Sequence, residues 1–123
     1  MADINAVAQQ FTQYYYSTFD TSRGNLGNLY RDHSMLTFEG SQVMGAQAIV
    51  EKLQNLPFQK VKHEVGSLDA QPTGTGGSLL VLVTGALLVD EEANPLKFSQ
   101  AFTLNADNGS FYVYNDVFRL VFG

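Results

Sequence analysis

Residues 78–104 read SLLVLVTGALLVDEEANPLKFSQAFTL, and this stretch decides the fold. Its first part, Leu79 to Val89, is rich in leucine and valine, with apolar residues at both odd and even positions. A strand with one face in water alternates apolar and polar residues, so this pattern predicts a strand that is covered on both faces. Gly85 and the valines favour a strand over a buried helix.

Two further strands are predicted after this one. An acidic turn ends at Asn94-Pro95 and leads into Leu96 to Leu104, where large side chains alternate with small or polar ones. The large residues are typical of one buried face and are Phe98, Phe102 and Leu104, with Gln100 among them. Asp107-Asn108-Gly109 then signals a hairpin before a strand from Phe111 to Phe122. Three consecutive strands predict an antiparallel sheet.

The residues upstream predict helices that cover one face of this sheet. Apolar residues repeat at spacings of three and four from Ile4 to Phe19, and Asp3 is placed to cap that helix. A short second helix is predicted around Leu26, a hairpin at Glu39-Gly40, and a third helix from Ala46 to Leu56. A strand from Val61 to Leu68 follows. This order predicts an α+β fold with a strongly curved antiparallel sheet against about three N-terminal helices, and an apolar cavity.

Composition limits the class of protein. The 123 residues, 45% hydrophobic and 15% charged, predict a single domain spanning residues 1–123. The net charge of −5 and the absence of a basic cluster argue against nucleic acid binding. No apolar stretch reaches the length of a membrane helix, and no secretion signal is apparent, so we expect a nuclear or cytoplasmic protein without membrane insertion.

The residues that could carry chemistry are few. The sequence has no cysteine, and neither His33 nor His63 has metal-ligand spacing to another ligand, so we expect no metal and no cofactor. His63 with Asp116 could form a general acid and base, although a hydrogen-bonded histidine is the simpler interpretation. Asp116 interrupts an apolar strand and needs a partner, for which Arg119 or a backbone amide is available.

Motifs along almost the whole chain resemble the nuclear transport factor 2 family. They occur in the family's order and are FTQYYY (11–16), FD (19–20), LGNLY (26–30), LTFE (36–39), IVEKL (49–53), LPFQK (56–60), DAQP (69–72) and NDVFRL (115–120). The resemblance implies a cone-shaped α+β fold, a homodimer formed through the outer face of the sheet, and no enzymatic activity. It also implies import of GDP-bound Ran from the cytoplasm into the nucleus through the pores of the nuclear envelope. The alternative is an isomerase or dehydratase of the same cone fold that uses His63 and Asp116 in the cavity.

The resemblance also assigns binding residues. In the family, an apolar cavity accepts an aromatic side chain of Ran, and acids on its rim pair with basic residues of Ran. The matching positions for Ran binding are Phe38, Glu39, Asp90 and Glu92. Family members bind Phe-x-Phe-Gly repeats of nucleoporins with an aromatic residue near the N-terminus, and Ile4 occupies that position here.

Overall fold

The computed structural model describes residues 3–57, 60–74, 76–90 and 94–121. In this part of the chain, three helices precede or interrupt a six-stranded sheet. The elements are α1 (Ile4–Thr21), a 3₁₀ helix (Arg23–Leu29), β1 (Tyr30–Phe38), β2 (Ser41–Met44), α2 (Ala46–Gln54), β3 (Val61–Pro72), β4 (Leu79–Val89), β5 (Leu96–Asp107) and β6 (Ser110–Leu120).

Helix α1 is the first layer of the core. Asp3 is its N-cap, and the Oδ1 atom of Asp3 accepts a 3.0 Å hydrogen bond from the backbone nitrogen of Asn5, as predicted. Its buried side chains recur at helical spacing and are Ala8, Thr12, Tyr15, Tyr16 and Phe19. The helix therefore presents one mainly apolar face to the sheet.

The second helix is a 3₁₀ helix, and its glycines explain how it packs. A Cβ atom at Gly24 would lie 2.6 Å from the side-chain nitrogen of Gln54, and one at Gly27 would lie 3.0 Å from Val50. Both contacts are with α2, so the missing side chains allow these two helices to pack closely. Helix α2 ends at Gln54, two residues before the predicted end.

The sheet has the strand order β2-β1-β6-β5-β4-β3 and is not closed into a barrel. The prediction of an antiparallel sheet is correct for four of the five pairings, but β1 runs parallel to β6 and the sheet is mixed. A hairpin forces its two strands to be antiparallel, whereas β1 and β6 lie far apart along the chain and no hairpin joins them.

Turns and bulges shape the sheet. Asn108 and Gly109 have φ angles of 50° and 81° in the two-residue turn between β5 and β6, which confirms the predicted hairpin. The register between β3 and β4 shifts at Gly66. A Cβ atom at Gly85 would lie 2.2 Å from the carbonyl oxygen of Glu64, so this close strand contact requires glycine. Such a bulge bends the strands and increases their twist.

The core lies between α1 and the inner face of the sheet. Phe98, Gln100, Phe102 and Leu104 of β5 are all buried there, as predicted. On the opposite face, Leu80, Leu82 and Val117 are each 43% exposed. Within one chain, only the inner face of β4 is therefore covered.

Candidate functional site

An apolar cavity of about 310 Å³ lies at one end of the sheet, near the point where five of its strands begin or end. Its lining residues come from α1, from the segment after α2, and from β1, β3, β4, β5 and β6. They are Phe19, Phe38, Leu56, Pro57, Val61, His63, Leu87, Val89, Leu96, Phe118 and Leu120. The predicted apolar cavity is thus present, and His63 is the one polar residue among those described in its lining.

Phe38 contributes an aromatic wall to this cavity. Its ring stacks on Phe118, with centroids 4.5 Å apart and planes at 5°, and Phe118 stacks in turn near Phe98 at 5.5 Å and 18°. Phe38 is only half-buried, while the two rings behind it are fully buried. The stack holds the partly exposed ring in a fixed position beside the cavity.

Glu39 lies in the turn directly after Phe38. Its φ angle is 51°, and together with Gly40 it forms the two-residue turn of the β1–β2 hairpin. Its Oε1 atom accepts a 2.9 Å hydrogen bond from the backbone nitrogen of Leu120, and its own nitrogen donates to the carbonyl of Phe118 at 3.1 Å. Because Phe38, Phe118 and Leu120 line the cavity, the carboxylate lies at the cavity margin.

Asp90 lies in the turn after β4, next to the cavity residue Val89. Its φ angle is 52°. Its Oδ1 atom accepts a 2.9 Å hydrogen bond from the backbone nitrogen of Lys60, and its own nitrogen donates to the carbonyl of Lys60 at 2.7 Å. Glu39 and Asp90 thus share one arrangement, in which a turn residue with positive φ caps a neighbouring strand end with its carboxylate.

His63 pairs with Asp20, not with Asp116. Its Nδ1 atom lies 2.6 Å from Oδ1 of Asp20, and its backbone nitrogen donates to Oδ2 of Asp20 at 2.9 Å. The imidazole stacks on Tyr16 at 4.5 Å and 24°, and its side chain is only 3% exposed. The simpler interpretation of a hydrogen-bonded histidine is therefore the right one. Sequence reasoning missed Asp20 because it lies 43 residues away on α1.

Asp116 is at the centre of a buried polar network. Its Oδ2 atom accepts hydrogen bonds from the hydroxyls of Tyr15 and Tyr30 at 3.0 and 2.7 Å, and its Oδ1 atom accepts one from Nε2 of Gln100 at 2.7 Å. The two hydroxyls are also 2.7 Å apart, and Tyr16 donates to Oε1 of Gln100 at 2.8 Å. The prediction that Arg119 or a backbone amide is the partner was wrong.

The protonation of this network follows from its burial. Desolvation raises the pKa of Asp116 to about 6, although hydrogen bonds from Gln100, Tyr30 and Tyr15 oppose the shift. Burial also raises the pKa of Tyr15 and Tyr30 well above the usual value, so both hydroxyls stay protonated as donors. Asp116 does not line the apolar cavity, so it is not placed to act on a molecule bound there.

A family model, the nuclear transport factor 2 domain, matches residues 7–120. The chain belongs to the nuclear transport factor 2 family. Nuclear transport factor 2 of Candida glabrata is 61% identical over 118 residues, covering 96% of this chain and 94% of that protein. Nuclear transport factor 2 of Schizosaccharomyces pombe is 59% identical over 123 residues, covering all of both chains. The structure of nuclear transport factor 2 from Cryptosporidium parvum superposes with a TM-score of 0.90 at 44% identity, covering 96% of this chain and 94% of that one.

Family membership resolves two of the predictions. The cone fold of the nuclear transport factor 2 family is confirmed. The relatives are named for transport and not for a reaction, and on that basis the prediction that this chain is not an enzyme is confirmed.

Among the described residues, no group of acids and histidines could hold a metal ion, and no helix is long and apolar enough to cross a membrane.

The remaining site residues lie apart from the cavity or outside the described part. Ile4 is the first residue of α1, where it is partly buried against the core and does not line the cavity. Glu92 lies outside the described residues. His33, the other histidine, is an exposed residue of β1 whose Nε2 atom is 3.0 Å from the hydroxyl of Tyr112.

Proposed function

We propose that this protein is a nuclear import carrier that binds GDP-bound Ran and Phe-x-Phe-Gly nucleoporin repeats, and moves Ran from the cytoplasm through the pore into the nucleus. The observation that carries the proposal is an apolar cavity with the acids Glu39 and Asp90 at its margin. The relatives' name supports a role in nuclear transport.

The cavity suits an aromatic side chain of a protein partner. Its volume of about 310 Å³ exceeds the roughly 150 Å³ that holds benzene in an engineered protein cavity. The ring of Phe38 is held by stacking on Phe118 and is still partly exposed, so it can contact an incoming ring without reorganisation. An aromatic side chain buried in such a pocket is the usual anchor of a protein interface.

The acids supply the charge complementarity. Backbone hydrogen bonds to Leu120 and Lys60 hold the carboxylates of Glu39 and Asp90 in place, which lowers the entropy lost when a basic residue docks. Ion pairs that become desolvated by a docked partner are worth more than exposed ones. We assign Ran binding to Phe38, Glu39, Asp90 and Glu92, the last from the family resemblance alone.

The outer face of the sheet supports a homodimer. Leu82, Ala101 and Val117 are neighbours in one row across β4, β5 and β6. Leu80 belongs to the adjacent row, and Leu80, Leu82 and Val117 are each 43% exposed in the single chain. Burying a patch of this kind against a second copy would cover the second face of β4, in accord with its sequence pattern.

Ile4 is the proposed contact for nucleoporin repeats. It lies at the start of α1, partly exposed, so an apolar side chain there can contact a phenylalanine of a repeat. The Ile4 side chain offers apolar contact area but no aromatic ring for stacking. A carrier of this kind would be found in the cytoplasm, in the nucleus and at the pores of the nuclear envelope.

Calorimetric titration with Ran in its two nucleotide states tests the proposal. We expect saturable binding of Ran·GDP and at least about tenfold weaker binding of Ran·GTP, a difference of roughly 1.4 kcal/mol. Equal affinity for both states, or no binding of either, would reject the carrier function, because import of the GDP form requires discrimination between them.

A further inference from the structure

One side-chain nitrogen of the cavity residue His63 has no hydrogen-bond partner in the described part of the chain. The Nδ1 atom of His63 is engaged by Asp20, whereas no hydrogen bond to the Nε2 atom occurs in the described part of the chain. No buried side-chain nitrogen or oxygen lacks a partner in those residues, so Nε2 must reach open space. The side chain is only 3% exposed, so this opening is small, and His63 borders two spaces that could provide it, the apolar cavity and a groove between α1 and β3.

Asp20 determines the hydrogen-bonding role of this atom. A carboxylate accepts hydrogen bonds, so Nδ1 carries a proton in this contact, and in the neutral tautomer with that proton Nε2 is an acceptor. Stacking on Tyr16 and an edge contact with Phe19 keep the ring in this orientation. A molecule that satisfies Nε2 must therefore donate a hydrogen bond from a hydroxyl or an N–H group.

The size and polarity of the cavity define the other features that the ligand must have. The cavity volume of about 310 Å³ is about twice that of an engineered cavity of roughly 150 Å³ that binds benzene, which indicates a bicyclic aromatic molecule. Every other described lining residue is apolar, so the ligand carries one donor and otherwise aromatic surface. Pockets that bind small molecules are typically apolar with a few placed polar groups and start at about 300 Å³.

We propose that the cavity also binds a free bicyclic aromatic molecule with one N–H or hydroxyl group, which donates a hydrogen bond to Nε2 of His63. The ligand occupies the space assigned above to an aromatic side chain of Ran. It therefore competes with Ran·GDP, and this competition alone rests on the proposed function.

The test compares two ligands of the same shape. Indole has the required N–H group, and benzofuran has an oxygen acceptor in its place. Calorimetry at pH 7.5 is expected to show 1:1 binding of indole, with benzofuran at least about fivefold weaker, the value of one neutral hydrogen bond. Nitrogen-15 spectra of the imidazole should show a shift of the Nε2 resonance of His63 with indole that benzofuran does not reproduce.

Two variants locate the ligand, because His63 also borders a groove between α1 and β3. Leu96→Trp adds bulk at the exposed side of the cavity and should abolish indole binding. Gln13→Trp adds the same bulk in the groove and should leave indole binding unchanged. Circular dichroism confirms that each variant is folded.

The outcomes separate the two proposals. Equal affinities for indole and benzofuran, no indole binding up to about 1 mM, or loss of indole binding in Gln13→Trp and not in Leu96→Trp would each overturn the ligand site. If indole binds as expected but Ran·GDP does not bind to the protein at all, the carrier function fails and the ligand site stands. If both bind, indole must lower the apparent affinity for Ran·GDP, and simultaneous binding would contradict a shared cavity.

Discussion

The Oε1 atom of Glu39 accepts a 2.9 Å hydrogen bond from the backbone nitrogen of Leu120, which joins the turn after β1 to the end of β6. The other carboxylate oxygen lies 3.7 Å from Nη1 of the exposed Arg119, a partly exposed pair worth about 0–1 kcal/mol. A residue proposed to bind a partner therefore also has an intramolecular role, and substitutions must separate the two.

Glu39→Gln and Glu39→Lys make that separation. The glutamine variant keeps an acceptor for the amide of Leu120 and loses the charge, so Ran·GDP binding should weaken while the melting temperature stays almost unchanged. The lysine variant loses both the hydrogen-bond acceptor and the negative charge. It should weaken Ran·GDP binding by at least about tenfold and lower the unfolding free energy by about 1 kcal/mol. Calorimetric titration and thermal unfolding measure the two effects. Glu51→Lys, an exposed charge reversal on α2 outside the cavity lining, is the control and should bind Ran·GDP as the unmodified protein does.

Asp90→Asn removes the second charge with little structural change. Asparagine tolerates the φ angle of 52° and retains the oxygen that accepts from Lys60. We expect affinity for Ran·GDP to fall by about tenfold with an unchanged melting temperature. Unchanged affinity in both Asp90→Asn and Glu39→Lys, measured by the same titration, would exclude the two acids as a docking rim.

Asp116 should make stability depend on pH. Its pKa is raised from 3.8 to about 6 by burial, so the folded state holds its proton more tightly than the unfolded state does. The stability that this proton contributes is fully present below about pH 3.8 and is lost as pH rises to about 6, a change of about 3 kcal/mol. In Asp116→Asn this term is absent. Urea unfolding of both proteins should show the difference in unfolding free energy shifting by about 2 kcal/mol towards the variant between about pH 4 and 6.5. A constant difference would contradict the assignment.

Val117→Glu should abolish the proposed homodimer. The new charge lies on the outer face of the sheet, in one row with Ala101 and Leu82, and would be buried without a partner in an interface there. Sedimentation velocity at micromolar concentration should show a dimer for the unmodified protein and a single chain for the variant. Tyr14→Glu, which changes an exposed aromatic residue on α1, is the control and should remain dimeric. A monomeric unmodified protein would rule out the dimer.

Ile4→Trp tests the proposed nucleoporin contact. An indole ring at the start of α1 adds stacking and apolar area, so titration with a Phe-x-Phe-Gly peptide should show tighter binding than in the unmodified protein. Ile4→Ala should bind more weakly, since it removes apolar contact. If the two variants bind the peptide equally, Ile4 does not contact the repeats.

Much of the fold could be predicted from local patterns. The strand from Leu79 to Val89, the buried face of β5 and the Asn108-Gly109 turn agree with the structure because each depends on residues close together in sequence. Strand ends were less accurate. The structure extends β3 to Pro72, since pairing with β4 continues to Leu79 and an edge strand tolerates proline.

The candidate site, too, could be predicted only where it depends on residues close together in sequence. The apolar cavity and the turn positions of Glu39 and Asp90 follow from the sequence and its family resemblance, because strand ends and turns are encoded locally. Asp116 was recognised as a buried carboxylate, but its partner Tyr15 lies 101 residues away. Period-two alternation in the predicted strand already places Arg119 on the face opposite Asp116, so the sequence argued against Arg119 as its partner.

The sequence by itself therefore determined which segments form helices and strands, though not where each of them ends, which face of each is apolar, and to which family the chain is similar. The tertiary structure decided that β1 lies parallel to β6, that Asp20 orients His63, and that two tyrosines and Gln100 satisfy Asp116. The physical reason is that periodicity reports only on neighbours within one element. Contacts between distant elements depend on how the sheet bends around α1, and no local pattern encodes that bend.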